Sequence, residues 1–357
     1  SQPLFHMRIP IYLSLLLALP LCAQLSWEDL NAHQNTLTRE TFEQRLNERY
    51  APYEAAKGWI EVCDAHALIR MGTDPTTEKF YRLRFLKEDT QDTPAKKHAL
   101  NGLHIVLDPG HVGDEFAVLE SRFFKINDDE PVREGDLNLQ VARLAAEKLR
   151  ARGATVTLTR DDAQPLTDTR GRDFAVREIQ ARAQKINQDI KPDLVLSIHF
   201  DALPWTDPAH PALFKGPSKS HLLVSGCFSQ KELADEQQRL HMLKRLLSNM
   251  SETELDLAEK LGASIKRNTA LPPARYSSRN ALPLRPYVWA RNLAATRLYL
   301  SPTVLCELFV MNNETDYARI QQGRYEGTRE INGQQLPNIF EQYAETLAQA
   351  VTDYCNE

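Results

Sequence analysis

Several features are missing from this 357-residue chain, and each absence removes a class of function. The net charge is -5 with no basic stripe, which argues against nucleic acid as the main partner. No apolar run reaches the roughly 20 residues that a membrane-crossing helix needs. None of the five cysteines stands in a Cys-x-x-Cys pair, so a structural zinc knuckle is not expected. His-Glu-x-x-His, a phosphate-binding loop and Gly-x-Ser-x-Gly are also absent, which counts against the other familiar hydrolase mechanisms. There is no internal repeat and no low-complexity tract.

What remains is the composition of an ordinary globular protein, 42% hydrophobic and 25% charged, long enough for one large domain or two. Met7-Arg8 precedes an apolar run from Ile9 to Leu21, followed by Ala23 and Gln24. This reads as a secretory signal over 1–23, so the mature chain is expected to be periplasmic or extracellular with no membrane span. Leu19-Pro20-Leu21-Cys22 offers a lipoprotein alternative, weakened by the bulky leucine before the cysteine. Cys63, Cys227, Cys306 and Cys355 then read as small buried hydrophobes, since no spacing selects a pairing.

Residues 24–86 form a segment unlike the rest. A helix-like stretch carries Trp27, Leu30, Phe42, Leu46 and Tyr50, and strand-like runs follow at 59–62 and 80–85. This predicts a small α+β unit, placed either to bind a surface polymer or to pack on the larger domain. The polar stretch 87–101 serves as a linker. From 102 to 357, strand-like and helix-like segments alternate, predicting an α/β fold with a mostly parallel twisted sheet and helices on both faces. The charged stretch Gln230 to Met250 stands outside that alternation.

Chemistry gathers where strands end. Leu103 to Leu107 stops at Asp108-Pro109-Gly110-His111, and Leu194 to Ile198 ends on His199. Glu134 precedes a helical stripe of Leu137, Val141, Leu144 and Leu149, and Glu307 ends the run Thr303 to Cys306. Open α/β sheets bind ligands beyond the carboxyl ends of their strands. Two imidazoles and a carboxylate are a recurring catalytic zinc set. Spacing alone does not select Glu134 from its acidic neighbours Asp128, Asp129 and Glu130. Ser197, His199 and Asp201 make a hydrolase set on paper, but residues two apart on one strand are too constrained for a nucleophile relay. His221, opening a strand, reads as packed or hydrogen-bonded.

Four ordered motifs carry a resemblance. Val106 to His111, Glu134 before Leu137-Asn138-Leu139, Asp193 to His199, and Pro302 to Glu307 with Asn312 or Asn313 together resemble the type 3 N-acetylmuramoyl-L-alanine amidases. Arg182 and Asn187 match an Arg and an Asn in the helix before the third motif. The resemblance covers about Gly102 to the C-terminus. It implies Zn2+ as the metal, with His111, Glu134 and His199 as ligands and Glu307 as the catalytic carboxylate. It also implies hydrolysis of the amide between N-acetylmuramic acid and L-alanine in peptidoglycan. Some members of that family carry a helix that blocks the site until a partner displaces it. Residues 230–250 are thus either a solvated surface helix or the contact for an activating protein.

This chain departs from the family pattern at two places. Val112 precedes Gly113 where a glycine usually follows the histidine, and Asp201 stands where an asparagine is usual. Asp201 is either a partner orienting His199 or a rim residue. Two alternative functions stay open: a zinc hydrolase of another peptidoglycan amide, and a silent homologue that binds or regulates. The second would be marked by loss of a ligand or of Glu307, and neither is lost.

Overall fold

The computed structural model describes residues 24–87, 99–204 and 211–356. The signal-like segment, Cys22 and most of the expected linker lie outside the described residues. Strands run in chain order as β1 (Ile60–Val62), β2 (His66–Arg70), β3 (Phe80–Arg84), β4 (His104–Pro109), β5 (Phe123–Phe124), β6 (Val132–Arg133) and β7 (Thr155–Leu158). They continue as β8 (Leu194–Asp201), β9 (His221–Val224), β10 (Leu282–Arg285), β11 (Val288–Ala290), β12 (Thr303–Val310), β13 (Thr328–Ile331) and β14 (Gln334–Pro337).

Seven of these form the main sheet, in the order β10-β11-β9-β12-β8-β4-β7. Four junctions are parallel, as the alternation predicts. The β12–β9 and β10–β11 junctions are antiparallel, so the sheet is mixed. The central strands are buried along nearly their whole length, which is why they read as continuous apolar runs. Helices Glu134–Ala151, Met250–Thr269 and Ile339–Cys355 bury their stripes against one face. Helices Phe174–Gln184 and Ala294–Leu298 cover the other, packing on Val106, Val195, Leu223 and Leu305. Among the described residues, no helix is long and apolar enough to cross a membrane. Strand β10 escapes sequence reading because Pro283 interrupts a four-residue edge strand.

The stretch 230–250 is not a solvated helix. It forms helices Gln230–Leu233 and Glu236–Leu247, and the second buries Arg239, Leu240, His241, Met242, Leu243, Arg245, Leu246 and Leu247. Its apolar side is one wall of a second core whose other wall is the N-terminal segment, through Leu30, Phe42, Leu46, Tyr50, Trp59, Ile69 and Leu83. Two of the charges that suggested a solvated face are buried instead: Arg239 on backbone carbonyls and Arg245 on Glu254. Arg245 and Arg49 both bind Glu254, one on each carboxylate oxygen. Glu254 also accepts the N–H of Thr303, at the start of β12 (3.1 Å). Arg49 adds bonds to the carbonyls of Ser225 (3.0 Å) and Ser251 (2.7 Å). The segment near residue 50, the inserted helix and the strand carrying Glu307 therefore share one buried carboxylate.

Removing one partner of such a group leaves uncompensated buried charge, at a cost of about 3–5 kcal/mol. Glu254→Ala is expected to lower unfolding free energy by that amount in urea titrations followed by circular dichroism. A loss under about 1 kcal/mol would show that this network does not hold the two cores together.

Candidate active site

The turn after β4 is shaped by buried polar contacts. Asp108, at the end of the apolar run, is 1% exposed and accepts four bonds. They come from Thr159 Oγ1 (2.6 Å), Ser197 Oγ (3.0 Å), Tyr299 Oη (2.8 Å) and Arg182 Nη1 (3.0 Å). Burial pushes its carboxyl up, but Arg182 and these donors outweigh burial and hold it below its usual range. Arg182 also donates to the carbonyls of Pro109 (2.6 Å) and His111 (2.7 Å), and Arg160 donates to the His111 carbonyl as well (3.0 Å).

These bonds fix a left-handed backbone at His111 itself, with φ +56°. The bend falls on the histidine, not on Gly110 as a Pro-Gly turn suggests. Gly110 is needed for space, since a Cβ there would run into the His199 ring. Gly135 meets the same kind of limit against the backbone of Val112 and Gly113. The turn and the start of helix Glu134–Ala151 thus press together, joined by Asn138 Nδ2 donating to the Gly110 carbonyl (2.8 Å).

The result is that His111, Glu134 and His199 converge, with ligand atoms all within 4.8 Å of one another. Glu134 stands between the imidazoles: His111 Nε2 lies 3.4 Å from Oε2 and His199 Nδ1 lies 3.0 Å from Oε1. Donors about 2.0–2.1 Å from a tetrahedral zinc are about 3.3 Å apart, so both the spacing and the donor types fit that ion. Glu134 is 2% exposed. Burial pushes its carboxyl up, but His111, His199 and Arg122 overcome this and bring it down to about 2.

Two supporting groups were not found in the sequence. Glu120, on a one-turn helix, reaches back to His111 with Oε1 3.2 Å from Nδ1 and accepts the Val112 N–H on Oε2 (2.6 Å). Its carboxylate therefore assigns the Nδ1 proton and leaves Nε2 free to face Glu134. A four-residue helix has no periodicity to mark it. Tyr343 Oη, from the last helix, lies 2.9 Å from the His199 carbonyl and 2.7 Å from the Cys306 carbonyl, bridging β8 to β12.

Glu307 pairs in register with His199 across the β8–β12 junction. On its other side it meets His221, with Nε2 3.3 Å from Oε2. Burial raises the Glu307 carboxyl, but His221 and His199 hold it below its ordinary value. Asp201 joins this pair instead of serving as a rim residue. Burial and the nearby Glu307 charge push it up to about 6. Other matched residues act at a distance. Asn187 accepts from Leu300 N (2.7 Å) and donates to the Leu298 carbonyl (2.8 Å), fixing the approach to β12. Asn312 bridges to Leu203 with bonds of 2.9 and 2.6 Å, and Asn313 caps helix Glu314–Gln321. Ser197 is tied to Asp108, so it makes no nucleophile relay with His199.

A sequence profile of the N-acetylmuramoyl-L-alanine amidase family matches residues 105–331. Among curated proteins, the "Probable cell wall amidase LytH" of Staphylococcus aureus is 36% identical over 112 residues. That stretch covers 31% of this chain and 31% of LytH, so the match spans about a third of the relative's length. Among solved structures, the N-acetylmuramyl-L-alanine amidase Ami1 of Mycobacterium smegmatis aligns at 18% identity with TM-score 0.45, covering 72% of this chain and 99% of Ami1. The CwlD amidase of Clostridioides difficile, solved with the GerS lipoprotein, aligns at 15% identity with TM-score 0.46, covering 71% of this chain and 98% of CwlD.

A carboxylate behind a metal-facing histidine is worth about 10–100-fold in metal affinity. Glu120→Gln is therefore expected to weaken zinc binding by that factor in competition with a chromogenic chelator. Unchanged affinity in the folded variant would remove Glu120 from the site.

Proposed function

The chain belongs to the N-acetylmuramoyl-L-alanine amidase family, and we propose that it hydrolyses the amide joining N-acetylmuramic acid to L-alanine in peptidoglycan. The observation that carries this reading is the convergence of two imidazoles and a carboxylate beside a fourth group, Glu307, which pairs in register with His199 on the adjacent strand. His111, Glu134 and His199 would hold Zn2+. Bound there, zinc would polarise the scissile carbonyl and acidify a water.

The remaining work falls to the chain's own groups. Glu307 is kept anionic by His221 and His199, so it is ready to accept a proton from the attacking water. It then returns that proton to the leaving amine of L-alanine. Glu120, Arg160 and Arg182 contribute by fixing His111 and its turn before substrate arrives. The four site residues act on one water and one carbonyl, so loss of any one is expected to remove most of the turnover.

The signal-like segment supports export, and the substrate lies outside the cytoplasm. An activating protein directed at 230–250 would have to work on a helix already packed against residues 25–85. Deleting that helix would open the second core, so lost activity in such a deletion would report unfolding. A second reading, a hydrolase of another peptidoglycan amide, uses the same residues and differs only in the products.

Digestion of purified peptidoglycan by the full chain is expected to release stem peptides beginning at L-alanine, read by mass spectrometry. A chelator should abolish release, and Glu307→Ala should slow it by about 10²–10⁴-fold, the usual contribution of a general acid–base group. Fragments beginning elsewhere would reassign the bond. No release at any enzyme concentration would favour the binding or regulatory reading.

A further inference from the structure

The strand that carries Glu307 loses its ladder just beyond that residue. Against β9, β12 pairs from Leu305 to Glu307 and no further. Against β8 it pairs through Glu307–His199 and then skips to Val310–Asp201. Leu308 and Phe309 thus stand opposite the single Phe200, two residues against one, which makes a β-bulge. Such an extra residue bends its strand and re-aims the side chains beside it. In a regular strand Leu308 and Phe309 would face opposite ways, yet both bury in the core that holds Phe200 and Tyr343.

Buried backbone groups need partners, and those around the bulge find them off the ladder. The fully buried Tyr343 donates from Oη to the Cys306 carbonyl (2.7 Å) and the His199 carbonyl (2.9 Å). Its ring packs edge-on against Phe200 and Phe309, with centroids 5.4 and 5.8 Å away. Ser220 Oγ donates to the Leu308 carbonyl (2.6 Å), and the Val310 N–H donates to Asp316 Oδ2 (3.0 Å). The two strands do not depend on Tyr343 equally. Strand β8 is held on its other edge by β4, which pairs with it up to Ile198 and bonds its carbonyl from the Gly110 N–H (2.9 Å). Glu307 has no such second support, because both neighbours release β12 immediately after it.

We propose that Tyr343 is a positioning residue for Glu307, holding the bulge that sets how that carboxylate reaches the attacking water. Its ring fills the space the bulge opens, and its hydroxyl ties the residue before Glu307 to the carbonyl of His199. The inference rests on Glu307 as the proton-accepting group, and it holds whichever peptidoglycan amide is cleaved.

The test is turnover of a soluble N-acetylmuramyl peptide by the zinc-loaded full chain, with zinc affinity measured alongside by competition with a chromogenic chelator. Tyr343→Phe keeps the ring and removes the bridging hydroxyl. It is expected to lower kcat by about tenfold or more with KM unchanged, since a ~1 Å misplacement costs up to about 10²-fold. Zinc affinity should not change. In a Glu307→Gln background the same substitution should have no further effect, because residues that act through one another are non-additive. Ser220→Ala, which loosens the bulge from the β9 side, should follow the same pattern and serves if Tyr343→Phe fails to fold, with circular dichroism as the check. Wild-type kcat in folded Tyr343→Phe, or an equal loss with and without the Glu307 carboxylate, overturns the proposal. A loss that tracks weakened zinc binding also overturns it, by placing the effect on His199. No turnover by the wild type would remove the proposed reaction itself, and this inference with it.

Discussion

The buried ion pair between Asp108 and Arg182 sets the position of everything that follows in the site. It lies beneath the turn that ends β4, with every strong partner supplied by a different element: Thr159 after β7, Ser197 on β8, Tyr299 before β12 and Arg182 on its helix. Taking such a pair out of water costs several kcal/mol per ion unless hydrogen bonds satisfy both groups, and here they do. Arg182 Nη1 also donates to the Pro109 carbonyl, Nη2 to the His111 carbonyl and Nε to Glu178. A residue that was legible only as a family match thus proves to be the clamp that holds a histidine in a left-handed backbone.

From that clamp the geometry spreads along the sheet. His199 lies against Gly110, Glu307 beside His199, and His221 beside Glu307. Each position depends on the previous strand's register, and Tyr343 pins β8 to β12 at this level. Behind the row, Glu254 ties the start of β12 to two guanidiniums, one from the N-terminal segment and one from the inserted helix. The N-terminal segment therefore belongs mechanically to the strand that carries Glu307.

Much of this was readable in advance, for physical reasons. His111 and His199 stand where apolar runs break on a polar group, at the rim of a buried sheet; Glu307 instead interrupts a run that continues through Leu308, Phe309 and Val310, inside β12 and not at its end. Glu134 needed the family resemblance, since a carboxylate among other carboxylates has no distinguishing period. His221 reads as packed or hydrogen-bonded, and it is both, against Tyr276 and Glu307; its place in the site was not legible because of direction. In an all-parallel sheet, a residue opening a strand lies at the edge away from the site. Strand β9 runs antiparallel to β12, so its first residue pairs with Glu307 itself. The inserted helix was misread because charge is normally a sign of solvent, whereas Arg239 and Arg245 are buried at 0% exposure with partners. Asp201 lay open between two readings, and its partners come from strands far away in sequence.

The central claim is that His111, Glu134 and His199 together hold the metal on which the chemistry depends. Crystals of the zinc-loaded chain, measured on both sides of the zinc absorption edge, test it directly. The account predicts an anomalous peak bonded to His111 Nε2, a Glu134 oxygen and His199 Nδ1, at about 2.0–2.2 Å from each. Anomalous density only elsewhere on the chain, or none among these three residues in fully loaded protein, would contradict it.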